Sequence, residues 1–114
     1  MATVVLDGFQ TTLCAKAVAS ANSIALSRAA AIKLNAVGVG NRVYLTIKDR
    51  VNYELVQYDH VADWDASDPA VIQLPVVRDA RGLGAKNFPY GACVASEVNS
   101  LYIVDYIAQS GGGS

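Results

Sequence analysis

A strictly alternating heptapeptide constrains this chain more than any other feature. In Arg42-Val43-Tyr44-Leu45-Thr46-Ile47-Lys48, the residues Val43, Leu45 and Ile47 fall on one face and Arg42, Tyr44, Thr46 and Lys48 on the other. That period of two is the signature of a half-buried strand with one dry face and one wet face. Asp49-Arg50 then turns the chain into Asn52-Tyr53-Glu54-Leu55-Val56-Gln57-Tyr58, which is rich in residues that favour strands. The pair predicts an antiparallel hairpin, and the rest of the fold is read around it.

The flanking sequence divides into short elements by the same logic. Ala2 to Leu6 is β-branched and predicts an opening strand that ends at Asp7-Gly8. Thr11 to Val18 and Ser23 to Leu26 predict two further strands, although their alanines weaken the signal. Ser27 is placed to cap a helix over Arg28 to Leu34, because alanine is the best helix former and Asn35 with Gly38 supplies a stop. Ala70 to Arg78 predicts a strand in which Pro75, having no amide hydrogen, marks an edge or a bulge. Ala92 to Val98 predicts a last strand, and Asn99 or Ser100 caps a second helix over Leu101 to Gln109. Its apolar stripe is Leu101, Val104, Ile107 and Ala108, with Tyr102 and Tyr106 one turn apart. The expected fold is mainly β, an antiparallel sandwich or barrel, with two short helices, one in the N-terminal half and one C-terminal. Residues 1–109 form one domain in this reading, and Ser110-Gly111-Gly112-Gly113-Ser114 is a flexible tail.

Composition then removes several function classes. With 114 residues there is room for a single core. Nine Lys/Arg against ten Asp/Glu leave a formal charge of -1, so there is no reservoir of positive charge to grip a phosphate backbone, and nucleic acid is not an expected partner. The first residues lack a basic start and break their apolar run at Asp7, unlike a signal peptide; Leu101 to Ala108 contains Asp105 and is too short to span a bilayer, so no membrane partner is expected. Only 17% of residues are charged, against 53% hydrophobic. So little charge, together with six tyrosines and a tryptophan, fits a protein that covers part of its exterior with other subunits.

The candidates for chemistry are few, and no cofactor motif emerges. His60 is flanked by Asp59 and Asp63 and suggests a nucleophilic site beside Cys14 or Cys93. No Ser or Cys sits on a strand-turn-helix elbow, however, and an exposed histidine after a strand is the simpler expectation. No enzymatic activity is therefore expected. Asp63, Asp65 and Asp68 begin like a calcium loop, but Asp68 stands where glycine is needed and Leu74 where glutamate is needed. Gly38-Val39-Gly40 lacks the third glycine of a dinucleotide turn, and Gly82-Leu83-Gly84-Ala85-Lys86 lacks the first glycine and the hydroxyl of a phosphate loop. Cys14 and Cys93 read as small buried hydrophobes, with a disulfide open only if the first and last strands are neighbours. Tyr44, Tyr53, Tyr58, Tyr90, Tyr102, Tyr106 and Trp64 are the candidate surface contacts; core packing and subunit contacts are their expected uses, ahead of stacking on sugars or bases.

The most distinctive stretch is Val76 to Val94, which reads as a strand, a glycine-rich bend, a short helical turn and a return strand. Gly82 and Gly84 allow backbone angles that side chains forbid, and Pro89 with Gly91 closes the connection. Arg78, Asp79 and Arg81 are spaced either to fix this bend by charge-assisted hydrogen bonds or to present an arginine fork to a neighbour.

The succession NYELVQYDHV, then AVIQLPVVRDARGLGAKNFPYGACV, resembles small β domains of tailed-bacteriophage virion proteins. In these, a strand bearing a Glu-hydrophobic pair precedes a strand that ends in Arg-x-x-x-Gly-Thr-x-Ala and a Pro/Gly return. The resemblance covers about the second half of the chain, with SIALS and GVGNRVYLTI fitting loosely. It places Glu54 on the first strand and Arg78, Gly82, Gly84, Ala85 and Gly91 in the bend, with Leu83-Gly84 departing from the usual Gly-Thr. It implies a virion location in a tail fibre, neck, baseplate or capsid-decoration role. The expected function is a non-enzymatic adaptor or decoration subunit whose partners are copies of itself and other virion proteins. A glycan- or calcium-dependent host-binding module, built on Trp64 and the acidic loop, is the alternative.

Overall fold

The computed structural model describes residues 2–96 and is mainly β, with antiparallel sheets and one helical segment. Its strands are β1 (Gln10–Thr12), β2 (Ser23–Ser27), β3 (Arg42–Lys48), β4 (Tyr53–Asp59), β5 (Val71–Pro75) and β6 (Cys93–Ala95). One sheet has the order β1-β6-β3-β4 and the other pairs β2 with β5. Helix α1 (Arg28–Lys33) continues into a 3-10 turn over Leu34–Val37. Among the described residues no helix is long and apolar enough to cross a membrane. The expected C-terminal helix and the Gly/Ser tail lie outside the described residues.

The alternating heptapeptide and its partner form the expected hairpin, with Arg42 opposite Asp59 and Lys48 opposite Tyr53. The expected wet face of β3 is nevertheless dry, because Tyr44 and Thr46 are buried along with Val43, Leu45 and Ile47. β3 is an interior strand, and on that face Thr46 lies between Leu55 of β4 and Ala95 of β6, apolar neighbours that screen it from the sides. The Thr46 hydroxyl has no hydrogen-bond partner. Replacing Thr46 with Val keeps the shape and removes that unpaired group, so it is expected to stabilise the protein by about 1 kcal/mol. A thermal melt should show a rise of about 5 °C.

Helix α1 starts where its cap predicts. The Ser27 hydroxyl accepts a hydrogen bond from the Ala30 amide at 3.1 Å, and Ala30, Ala31, Leu34 and Val37 are buried in the core. Two expected strands are not formed as such. Ala2 to Leu6 contributes only a parallel bridge between Thr3 and Arg42, and Thr11 to Val18 yields the three-residue β1 and an isolated bridge from Ala17 to Phe88. Each segment changes pairing partner too soon for a longer ladder: Leu13 donates to Ala92, whereas Cys14 already donates to Ala25 of the other sheet.

Proline explains why the two sheets are not joined along β4 and β5. Gln57 and Val77 exchange both backbone hydrogen bonds, at 3.0 and 2.9 Å. Two residues further on, this register puts Asp59 opposite Pro75, which has no hydrogen to give. The ladder stops there, and a seam opens between β5 and the chain leaving β4.

Candidate functional site

Strand alternation aims Glu54, Val56 and Tyr58 of β4 at the same side of the sheet as Val43, Leu45 and Ile47, which is the core side. Two of these three carry polar tips, and each tip organises a cluster.

The first cluster joins Glu54 to Arg78. Arg78 Nε donates to Glu54 Oε2 at 2.6 Å and Nη2 donates to Oε1 at 2.9 Å, a two-pronged pair with both side chains almost fully buried. The Asp79 amide adds a bond to Oε2 and the Lys86 amide a bond to Oε1. Arg78 Nη1 donates to the carbonyls of Val18 and Ala21, and Nη2 donates to that of Lys86. All five arginine donors and all four carboxylate acceptor sites are thus occupied. Burial pushes the Glu54 carboxyl up, but the bonds from Arg78, Lys86 and Asp79 outweigh it and hold the group below the ordinary glutamate range.

This cluster ties the glycine-rich loop to β4 and to the segment between β1 and β2. The loop is a series of turns with no helical turn in it, unlike the expectation. Asp79 organises it from a left-handed backbone, φ 54°, and its carboxylate accepts hydrogen bonds from the amides of Leu83 and Gly84, both at 2.8 Å. Gly82 and Gly84 have φ of 74° and 102°, which lets those amides converge on one carboxylate. Ala85 is half-buried, while Pro89 and Gly91 are exposed, the Gly91 amide donating to Leu13. Arg81 is exposed and takes no part in the cluster, because Asp79 is met by backbone amides instead. Asp79→Ala removes two hydrogen bonds at a strained position and is expected to cost about 2 kcal/mol. Limited proteolysis should then cut faster within 80–85.

The second cluster overturns the expectation of an exposed histidine. His60 is 0% exposed. Its Nδ1 lies 2.7 Å from the Tyr58 hydroxyl, its Nε2 lies 2.7 Å from Asp63 Oδ1, and Trp64 Nε1 donates to the Tyr58 oxygen at 3.1 Å. The indole can only donate and a carboxylate only accept, so we assign the hydrogen of His60 to Nε2, and the bonds then run in one direction from Trp64 through Tyr58 and His60 to Asp63. Asn35 locks the loop from outside, exchanging side-chain bonds with the amide and carbonyl of Trp64 at 2.9 and 2.8 Å. Burial pushes the Tyr58 phenol up. The sequence signal for this cluster was the spacing Tyr58-x-His60, which puts both rings on one face of an extended segment, followed by an acid and an indole within four residues.

The candidate contact residues separate by burial. Tyr44 and Tyr58 are buried and take the core-packing use rather than that of a surface contact, and the Tyr58 hydroxyl has two partners in the core. Tyr53 and Tyr90 are exposed and Trp64 is half-buried, whereas Tyr102 and Tyr106 lie outside the described residues. The seam beside Pro75 opens into two adjoining hollows of about 430 and 280 Å³ that share Asp59, Val61 and Pro75; the smaller reaches Trp64 and Asp68. Their carboxylates are engaged locally: Asp59 with Arg42 Nε at 2.7 Å, Asp63 with His60, and Asp68 with the Asp65 amide. Among the described residues, no three metal-ligating side chains converge. Strands β1 and β6 are indeed neighbours, with Thr12 opposite Cys93, but Cys14 and Cys93 are free, half-buried thiols rather than fully buried ones. The chain matches no family model, no curated protein and no solved structure.

Proposed function

We propose that this chain is a non-enzymatic structural component of a tailed-phage particle, an adaptor or decoration subunit with its two sheets stacked as a sandwich. One observation carries the reading. The groups best suited to chemistry, Glu54, Arg78, Tyr58 and His60, are saturated by internal bonds, while bare apolar side chains such as Val51, Leu83, Tyr90 and Val61 stand exposed on the loops. Saturated polar clusters fix the shape of a scaffold, and exposed apolar loops are the surface that association removes from water. The resemblance of the second half to virion β domains supplies the setting.

The test is co-purification with capsid or tail fractions, joined to light scattering on the purified protein at micromolar concentration. Presence in a particle fraction and a mass above that of one chain are the expected results; a strict monomer missing from every fraction overturns the reading. The hollow beside Trp64 favours a second one, a sugar-binding module in which the indole face stacks on a ring. That reading requires a rise in melting temperature with a glycan ligand, and a chelator arm separates out any calcium dependence.

A further inference from the structure

Helix α1 presents a bare apolar face on its outer side. Ala29, Ile32, Lys33 and Ala36, spaced i, i+3, i+4 and i+7 along α1 and its 3-10 continuation, are all exposed, and only Lys33 among them is charged. The outer side of a surface helix is ordinarily polar. Beside this face lies a hollow of about 360 Å³ lined by Val5, Leu6, Phe9 and Ala36, together with Asp7 and Lys33.

Ser96, where the described chain ends, is fastened to the wall of that hollow. Its amide donates to the Phe9 carbonyl at 3.2 Å, and its hydroxyl accepts from the Leu6 amide at 3.1 Å. Continued in the register that sets Ala95 opposite Thr46, β6 would bring Asn99 opposite Arg42. That edge is already taken, because the Arg42 carbonyl accepts from the Val4 amide and the Arg42 amide donates to the Ala2 carbonyl. Leu101 follows Ser96 by five residues, a step that covers up to about 17 Å when extended. The apolar run from Leu101 to Ala108 is thus tethered within reach of a surface that Ser96 touches.

From this arrangement we propose that residues 101–108 of the same chain close over the hollow, laying the stripe Leu101, Val104, Ile107 and Ala108 on Val5, Ile32 and Ala36. Small side chains at Ala29 and Ala36 leave room for a second helix to approach α1 closely. A short tether holds the effective concentration of the segment at about the millimolar level, so a contact too small to join two separate chains suffices here. The ionisable groups at the contact and its tether are Asp7 and Lys33 on the hollow and Glu97 and Asp105 on the segment. One cation stands against three acids, so burial of apolar area rather than charge has to hold the contact. The inference is independent of the virion reading, and it makes this face of α1 internal to the chain.

Hydrogen exchange and methyl NMR on the full chain test this with two double variants. Ile32→Gln/Ala36→Gln spoils the receiving face, and Val104→Gln/Ile107→Gln spoils the segment; glutamine is a fair helix former, so neither change acts by discouraging a helix. In the wild type the amides of 101–108 should exchange at least about tenfold more slowly than in an unstructured peptide. Each double variant should bring them to the unstructured rate while the amides of 43–47 and 54–58 keep their protection. Wild-type cross-peaks from the methyls of Val104 or Ile107 to those of Val5, Ile32 or Ala36 are expected, and a mixture of labelled and unlabelled chains should show that they arise within one chain.

Unstructured exchange rates in the wild type overturn the closure. So does protection of 101–108 that survives Ile32→Gln/Ala36→Gln, and so do cross-peaks that arise between chains, which would seat the segment of a second copy in the hollow. If a double variant loses the protection of its hairpin, the wild-type cross-peaks decide alone: their presence within one chain supports the closure and their absence defeats it.

Discussion

Replacing Arg78 with Met is expected to lower the unfolding free energy by about 3–5 kcal/mol, the usual cost of leaving one partner of a buried ion pair alone. The loss is large because Arg78 holds three segments at once: Glu54 on β4, the Lys86 carbonyl in the glycine-rich loop, and the carbonyls of Val18 and Ala21. Urea unfolding measures it directly, and its pH dependence identifies the cause. In the wild type the Glu54 carboxyl is held below its ordinary value of 4.5. Its stabilising contribution is therefore complete above about pH 4.5 and is lost as the pH falls through the folded value. In the variant the Arg78 bonds are gone, and burial is opposed only by the Lys86 and Asp79 amides, so the carboxyl is held down less and acidification should cost less stability than in the wild type. Glu54→Gln combined with Arg78→Met should be less damaging than Arg78→Met alone, since no charge then remains buried.

Tyr58→Phe is the second large effect, with an expected cost of about 2–3 kcal/mol from a single oxygen. Removing it leaves the Trp64 indole N–H without its acceptor and His60 Nδ1 without its partner, and the His60 ring is wholly buried. The phenyl ring still fills the space, so loss of packing does not account for the change. Trp64 fluorescence should move with the melt, because the indole sits in the affected network. Unchanged stability would mean that these bonds contribute nothing beyond what water provides in the unfolded chain.

What was legible in the sequence was local. Alternation located the β3-β4 hairpin, Ser27 ahead of an alanine run located α1, and Pro75 marked the strand that lies at the seam. What alternation did not convey was how many faces would be covered. Tyr44 and Thr46 look like wet-face residues until β6 arrives from the far end of the chain to flank β3. Glu54 has the same difficulty, because its partner stands 24 positions away and nothing in strand periodicity says that an acid on the core side will be met there. The triplet Arg78, Asp79 and Arg81 was visible as a charged bend, but its division of labour depends on where the backbone amides of 83, 84 and 86 point. His60 was misplaced for a related reason: a position just past a strand is ordinarily wet, and here the following loop folds back through Asp63 and Trp64 and covers it.

The position of β6 also bears on how this polypeptide takes shape while it is being made. Gln10 pairs with Ala95, and the same short strand separates β1 from β3. Until residues 93–95 have left the ribosome, β1 has no neighbour in its sheet and β3 keeps an unpaired border, the kind of surface that recruits stray chains. Crowded synthesis at high copy number would therefore select for early closure of the β3-β4 hairpin and for late but rapid insertion of the central strand.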